Sequence, residues 1–275
     1  MAQQAAEKRI VLITGASGGV GSALCEVLKK DYHLIGLDLT PCESAHESYE
    51  CDFTSKDSIS LALYKIHEKH GGHIACVIHL AAYYDFSGED NPLYEALNVK
   101  GTADFLTELQ RFDVDHFIYS STMLIHRAGV PGEKITEDTP IEPGWTYPQS
   151  KADAEEAIRS HHGKIPYTLL RMAGLYDDHT AVPTLSYQIA RIYERQFKSW
   201  VYSGDKMAGQ AFLHKDDMVS LFTELVEKRH EVPKENVLLA GEDSVMGYQA
   251  LQNRIGHLIY GEREWNTIEI PEYVA

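Results

Sequence analysis

Short apolar runs alternate along the chain with longer stretches of helical period. The runs are Ile10–Thr14, His33–Asp38, Ile74–Leu80, His116–Ser121 and Tyr167–Met172. Between them lie Val20–Lys30, Ser58–His70, Leu93–Phe112 and Gln149–His161, whose apolar residues recur as on one face of a helix. Strand and helix taking turns in this way predict βαβ units and a parallel sheet covered on both faces. The expected fold class is α/β, a doubly wound, Rossmann-type sheet with a smaller C-terminal substrate lobe. After Met172 the spacing becomes irregular. Helix-like stretches are expected at Leu185–Phe197, Asp216–Lys228 and Gln249–Tyr260, and strand-like runs at Ser199–Tyr202, Gln210–His214 and Asn236–Ala240.

Composition narrows the picture. The chain has 275 residues, 44% of them hydrophobic and 24% charged, which is enough to bury a sizeable core. With 41 acidic against 25 basic residues the formal net charge is −16, a surface that repels nucleic-acid phosphates and anionic lipids. No apolar stretch approaches the roughly 18 residues needed to span a bilayer, and the polar start has no secretory pattern. The four cysteines, Cys25, Cys42, Cys51 and Cys76, form no C-x-x-C pair, so neither a disulfide framework nor a zinc site is expected. A reducing cytoplasm, a small-molecule substrate, and no nucleic-acid or membrane partner are the expectations.

The first candidate chemistry is the turn Thr14-Gly15-Ala16-Ser17-Gly18-Gly19-Val20-Gly21, between the first strand pattern and the first helix pattern. A chain that leaves a strand and turns at once into a helix presents free N–H groups and a positive dipole end, and glycines let a pyrophosphate approach the backbone. Gly15, Ser17, Gly18, Gly19, Val20 and Gly21 are therefore expected to hold a dinucleotide. Asp38 ends the second apolar run, where a carboxylate accepts hydrogen bonds from the adenosine ribose and repels a 2′-phosphate. No Arg or Lys follows in Leu39, Thr40 and Pro41, so NAD is favoured over NADP. Asp52 and Phe53 are placed beside the adenine, with a helix cap as the other reading of Asp52. On this basis residues 1–172 read as the dinucleotide-binding domain, with 211–240 returning to it. Residues 173–210 and 241–275 read as the substrate lobe.

Tyr147 and Lys151 stand four apart at a predicted helix start, where Pro148 reads as the first helical residue and Tyr147 as its non-helical neighbour. That spacing brings an ammonium near a phenol. Moving a tyrosine from pKa ~10 to about 7 asks for roughly 4 kcal/mol, which the ammonium, a cofactor charge and the helix dipole are expected to share. Tyr119-Ser120-Ser121-Thr122 follows a buried-looking run and so stands at a strand's C-terminal end, where open α/β sheets bind ligands.

With these motifs together the sequence resembles the extended short-chain dehydrogenase/reductases, the NAD-dependent epimerase/dehydratase group, over essentially the whole chain. His79-Leu80-Ala81-Ala82 and Asn98-Val99-Lys100-Gly101-Thr102 match that family between the glycine turn and the Tyr147/Lys151 pair. The resemblance implies Thr122 as partner of the substrate hydroxyl, Tyr147 as general acid/base, Lys151 as the residue that acidifies it and holds the nicotinamide ribose, and Asn98 as a helix-bending support. It also implies that Leu80, Ala81, Ala82 and Ser120 pass along the cofactor, that Ala173 and Leu175 lie by the nicotinamide, and that the chain is a homodimer. Two departures stand out. Met123 and Leu124 replace the Asp-Glu pair of sugar-nucleotide 4,6-dehydratases and cannot transfer protons, which argues against a 4,6-dehydratase. Gln210-Ala211-Phe212-Leu213-His214-Lys215 lacks the arginine that grips a pyrophosphate in many relatives, with Lys215 as a partial substitute. Relatives are commonly longer, so the chain is read as a candidate truncation.

Fourteen histidines invite a metal reading, densest at His67-Glu68-Lys69-His70 and His73. The spacing is one residue short of the zinc-protease helix pattern, so no metal is expected there and the group reads as a solvated helix end. The function expected is an NAD-dependent oxidoreductase or epimerase acting on a secondary hydroxyl of a sugar, a sugar nucleotide or a similar small molecule. A non-catalytic NAD(H) sensor on the same fold is the alternative.

Overall fold

The computed structural model describes residues 8–85, 87–130 and 132–270. Seven parallel strands form the central sheet: β1 Ile10–Thr14, β2 His33–Asp38, β3 Glu47–Glu50, β4 Cys76–His79, β5 Phe117–Thr122, β6 Tyr167–Met172 and β7 Glu235–Ala240. Their spatial order is β7-β6-β5-β4-β1-β2-β3. The order reverses between β1 and β4, and a crevice opens at the carboxyl ends of the strands at such a switch point.

Strand residues alternate between two cores. Leu12, Ile35, Val77, Phe117 and Leu169 face one side, with Phe105 and Ile158 from the helices packed on it. Val11, Ile13, Ile78, Ile118 and Leu170 face the other, against Leu24 and Phe222. Each fully buried side chain of this kind contributes roughly 1.5–3 kcal/mol. The first layer is built by α2 Lys56–His70, α3 Thr102–Leu109 and α4 Thr146–His161, the second by α1 Gly19–Leu28 and α6 Lys215–Glu227. A smaller core of Ile192, Ile255 and Trp265 joins α5 Pro183–Tyr193 to α7 Tyr248–Tyr260, beside a short parallel pair, Val201–Ser203 with Ile268–Ile270.

Three elements differ from the sequence expectation. The stretch expected as one helix from Leu93 is a π-helix over Tyr94–Gly101 that runs into α3. The edge strand β3, Glu-Ser-Tyr-Glu, carries no apolar alternation, and its pairing with β2 alone defines it. Finally, α4 begins at Thr146, so Tyr147 lies inside its first turn and Pro148 is not the first helical residue. The first-turn N–H groups of a helix have no acceptor within it, so proline loses nothing there. The Gln149 N–H makes the turn's bond to the Trp145 carbonyl at 3.1 Å.

Candidate active site at the carboxyl ends of the strands

The glycine turn connects β1 to α1 and closes on β4. Gly15 has φ +65°, and a Cβ there would lie 2.9 Å from the Ala81 nitrogen; at Gly21 it would lie 2.3 Å from the Gly15 carbonyl. Both positions therefore require glycine for the turn itself. Gly18 is different: it is the N-cap of α1, without a side-chain cap, and a Cβ would meet only the Gly15 carbonyl at 3.3 Å. Its bareness leaves the helix N-terminus open to an anion. The Asp38 carboxylate accepts from the backbone N–H of Ser17 at 3.0 Å and of Leu39 at 2.7 Å, so it fixes the turn to the end of β2. A carboxylate has about four acceptor sites, which leaves capacity for ribose hydroxyls. The Thr40 hydroxyl donates to the Ser17 hydroxyl at 2.9 Å.

Residues 52 and 53 divide. Asp52 closes a local turn, accepting from the Thr54 N–H and hydroxyl at 2.8 and 2.7 Å. The Phe53 ring is buried in the core against His79 and Phe105, so the adenine edge expected of that ring is corrected. The apolar ring has found a dry site, as burial energetics favour.

A hydrogen-bonded chain ties the end of β1 to the π-helix through His79. The Thr102 hydroxyl donates to the Asn98 carbonyl at 2.7 Å, so toward His79 Nε2, 3.0 Å away, it can only accept. Nε2 then carries the proton and Nδ1 accepts from the Thr14 hydroxyl at 2.8 Å. That hydroxyl oxygen in turn accepts from the N–H groups of Leu80 and Ala81, both at 3.0 Å. Burial and the Lys151 charge push the His79 imidazole down to about 3, which keeps it neutral as this assignment requires. Ser120, nearly buried, donates to the His79 carbonyl at 3.2 Å. Val20, Leu80, Ala173 and Leu175 pack on the adjoining core.

Asn98 sits inside the π-helix. Its Oδ1 accepts from the Tyr83 N–H at 2.7 Å, and its Nδ2 donates to the Tyr83 carbonyl at 3.0 Å and to the Ser150 hydroxyl at 2.9 Å. Ser150 donates onward to the Tyr147 carbonyl at 2.7 Å. The wide turn of the helix thus clamps the segment after Ala82 and supports the first turn of α4 together.

On α4, Tyr147, Ser150, Lys151, Ala154, Glu155 and Ile158 form the buried face. Tyr147 is 9% exposed, with Tyr84, Tyr94 and Trp145 around its ring. It lines a cavity of ≈ 670 Å³ with Tyr84, Thr122, Met123, Ala173 and Leu175. That volume is within the range of small-molecule sites. Thr122 closes β5, and its hydroxyl accepts from the Leu124 N–H at 3.2 Å. The Lys151 ammonium lies 4.3 Å from the centre of the Tyr119 ring, a cation–π contact. Burial pushes Lys151 down to about 7. Burial, then the phenols of Tyr84 and Tyr94, raise Tyr147 above its ordinary value. The acidic phenol expected from the sequence is therefore not a property of the protein by itself, because desolvation disfavours both charged groups.

Sequence reasoning missed a second layer behind this face. Arg171 Nε and Nη2 bind the two oxygens of Glu155 at 3.0 and 2.7 Å, both side chains buried. Ser121 donates to Glu155 at 2.6 Å. Arg171 Nη1 reaches His126 Nε2 and the Glu137 carbonyl, both at 3.2 Å, anchoring the segment that supplies Ala128, Gly129 and Ile135 to the cavity. Glu155 was legible only as an acidic residue one turn after Lys151. Lys215 pairs with Asp177 at 2.6 Å.

The geometry is that of a doubly wound parallel sheet whose glycine turn leaves a helix N-terminus open to a phosphate. The family model of the NAD dependent epimerase/dehydratase family matches residues 11–241, and the chain belongs to that family. It is similar to a putative UDP-glucose 4-epimerase of Methanocaldococcus jannaschii, 29% identical over 180 residues, which cover 62% of this chain and 57% of that protein. A putative epimerase from Burkholderia cenocepacia shares the fold with a TM-score of 0.75 at 17% identity, over 98% of this chain and 86% of the other. UDP-glucuronic acid 4-epimerase from Bacillus cereus, solved with UDP-glucuronic acid and NAD, has a TM-score of 0.73 at 20% identity, over 95% and 86%. The chain spans little more than half the length of its curated relative. NAD is the family's cofactor, and the open N-terminus of α1, the bare Gly18 and the carboxylate of Asp38 fit it. Among the described residues no helix is long and apolar enough to cross a membrane.

Proposed function

We propose that the chain catalyses NAD-dependent oxidation or epimerisation at a secondary hydroxyl of a sugar or sugar nucleotide. The observation that carries this reading is that Tyr147 from α4 and Thr122 from the carboxyl end of β5 line one cavity. Gly15, Ser17, Gly18, Gly19, Val20, Gly21 and Asp38 would hold the dinucleotide, with Leu80, Ala81, Ala82 and Ser120 along it and Ala173 and Leu175 at its reactive end. When bound, NAD supplies the hydride acceptor, which a net oxidation uses once and an epimerisation uses in both directions.

The protein's own part is proton handling. Thr122 hydrogen-bonds the substrate oxygen and sets its position against Tyr147, whose phenolate form takes the hydroxyl proton and becomes the phenol. Because burial keeps that phenol protonated, the reactive form requires positive charge brought close to it. Lys151, one helical turn away and poised near neutrality, supplies part of that charge when protonated. Asn98 and Ser150 hold the first turn of α4 so that the phenol keeps its aim.

A second cavity of ≈ 400 Å³ shares Ala208, Gly209 and Gln210 with the first. It offers the Arg191 guanidinium, the stacked pair Tyr202 and Tyr248, and the buried Gln188 Nε2, which has no hydrogen-bond partner among the described residues. These groups suit the anionic and aromatic parts of a nucleotide, which supports a sugar nucleotide despite the missing arginine before Phe212. The test is incubation with NAD and UDP-glucose or UDP-glucuronic acid, followed by NMR of the sugar. Conversion at the 4-position is expected; tight NAD binding without turnover across a panel of sugars would overturn the reading in favour of a sensor.

A further inference from the structure

The histidines that the sequence reading set aside are separated by the fold. His67 packs its ring on Phe112, and His73 pairs with Asp115 at 3.1 Å. His70 instead meets two residues distant in the chain. It ends α2, His33 begins β2 and Glu47 begins β3. Glu47 pairs in register with Ile35, two residues beyond His33, so His33 and Glu47 share a sheet face, the one on which α2 ends. This point lies at the amino ends of the strands, across the sheet from the glycine turn.

We propose that His33, Glu47 and His70 form a binding site for a zinc-like divalent cation, independent of the NAD site. His33 Nε2 is 3.0 Å and His70 Nε2 3.2 Å from Glu47 Oε1, and the three ligand atoms all fall within 4.8 Å of one another. Neighbouring ligands of a tetrahedral zinc at 2.0–2.1 Å stand roughly 3.3 Å apart, so small rotations bring the three atoms onto one ion. Two imidazoles and a carboxylate are a borderline donor set that suits zinc, cobalt or nickel over magnesium or calcium.

The carboxylate is already divided between two tasks. Oε1 faces His33, His70 Nε2 lies 3.2 Å from each oxygen, and Oε2 also accepts from Lys69 Nζ at 2.8 Å and from the Tyr49 hydroxyl at 3.0 Å. Lys69 and Tyr49 thus orient Glu47 through Oε2 and leave Oε1, the oxygen nearest His33, to the cation. The last turn of α2 adds the negative end of its dipole. His46 stacks on His33 at 5.1 Å but is not a ligand through Nδ1, which accepts from the Leu34 N–H at 3.1 Å. Side-chain exposures of 29, 18 and 14% for His33, Glu47 and His70 leave room for water to complete the coordination.

The test uses tag-free protein stripped with chelator and titrated with zinc chloride by calorimetry, and with cobalt chloride by visible absorbance. One equivalent is expected, with the intense visible bands of tetrahedral cobalt. H33Q and H70Q should each weaken zinc by more than tenfold and abolish those bands, Y49F should weaken zinc by roughly tenfold, and H73Q should leave it unchanged. Denaturation of each metal-free variant establishes that it is folded. Absence of a stoichiometric site in the wild type, or equal zinc affinity in a folded H33Q/H70Q double variant, overturns the proposal. NAD binding provides a separate readout and is expected to be unchanged throughout.

Discussion

The Lys151 ammonium stands over the Tyr119 ring, 4.3 Å from its centre, and makes no ion pair among the described residues; the buried Glu155, one turn further along α4, is held by Arg171. A buried cation with no ion pair is costly, and burial, only partly offset by the charge of Glu155, pushes it down to about 7. The folded state therefore binds fewer protons here than the unfolded state between about pH 7 and the ordinary lysine value near 10. Stability from this group rises with pH across that window, and below it the cost is fully present.

Lys151→Met removes that cost. Relative to wild type, the cofactor-free variant should gain on the order of 1–4 kcal/mol at pH 6 compared with its position at pH 10. Urea denaturation of both proteins at the two pH values checks this. A difference independent of pH would show that the ammonium is not destabilised in the fold.

Glu155→Gln leaves the buried Arg171 guanidinium without its counter-charge and should cost about 3–5 kcal/mol. Burial pushes the Glu155 carboxyl up, but the hydrogen bonds from Arg171 and Ser121 outweigh that and hold it below the usual carboxylate range. Its contribution is thus fully present above the unfolded carboxylate value and is lost as pH falls through the folded one. Acid denaturation followed by circular dichroism should show a shallower loss of stability in the variant.

The glycine turn separates architecture from binding. Gly21→Ala must displace the Gly15 carbonyl and should lower stability by about 1–3 kcal/mol. Gly18→Ala meets one carbonyl at 3.3 Å and should cost less than about 1 kcal/mol, yet it places a methyl group over the open N-terminus of α1. Isothermal titration should find NAD affinity lowered at least tenfold in a well-folded Gly18→Ala protein. Undiminished affinity would mean that the dinucleotide does not lie on this turn.

Much of this arrangement was legible in the sequence because it depends on local grammar. Three glycines between a strand and a helix, an acid at a strand end, and hydroxyls after a buried run each mark their place by spacing alone. What was not legible depends on contacts between distant segments. The π-helix at Asn98 is specified by the Tyr83 backbone and Ser150, which a periodicity over 93–112 cannot register. Strand β3 exists by pairing with β2. The Glu155–Arg171 pair and the His33–Glu47–His70 cluster join residues whose proximity only the sheet order creates. Phe53, expected beside the adenine, is instead a core residue because its ring packs on His79 and Phe105, contacts that spacing cannot show.

Asp38 should decide cofactor choice. NAD is expected to bind more tightly than NADP, and Asp38→Asn should narrow the ratio of their dissociation constants by tenfold or more. The single amide oxygen can keep the bond from the Ser17 N–H, the NH2 in place of the other oxygen gives up the one from Leu39, and the charge that repels a 2′-phosphate is lost. Tighter binding of NADP by the wild type would remove the role given to Asp38.

Tyr147→Phe tests the account most directly, through the single-turnover rate with NAD and a converted sugar nucleotide. Removing the phenol oxygen while keeping the ring in its setting of Tyr84, Tyr94 and Trp145 should slow the chemical step by about 10²–10⁴-fold, with the fold intact by circular dichroism. A variant that turns over at the wild-type rate would contradict the assignment of Tyr147 as the group that moves the proton.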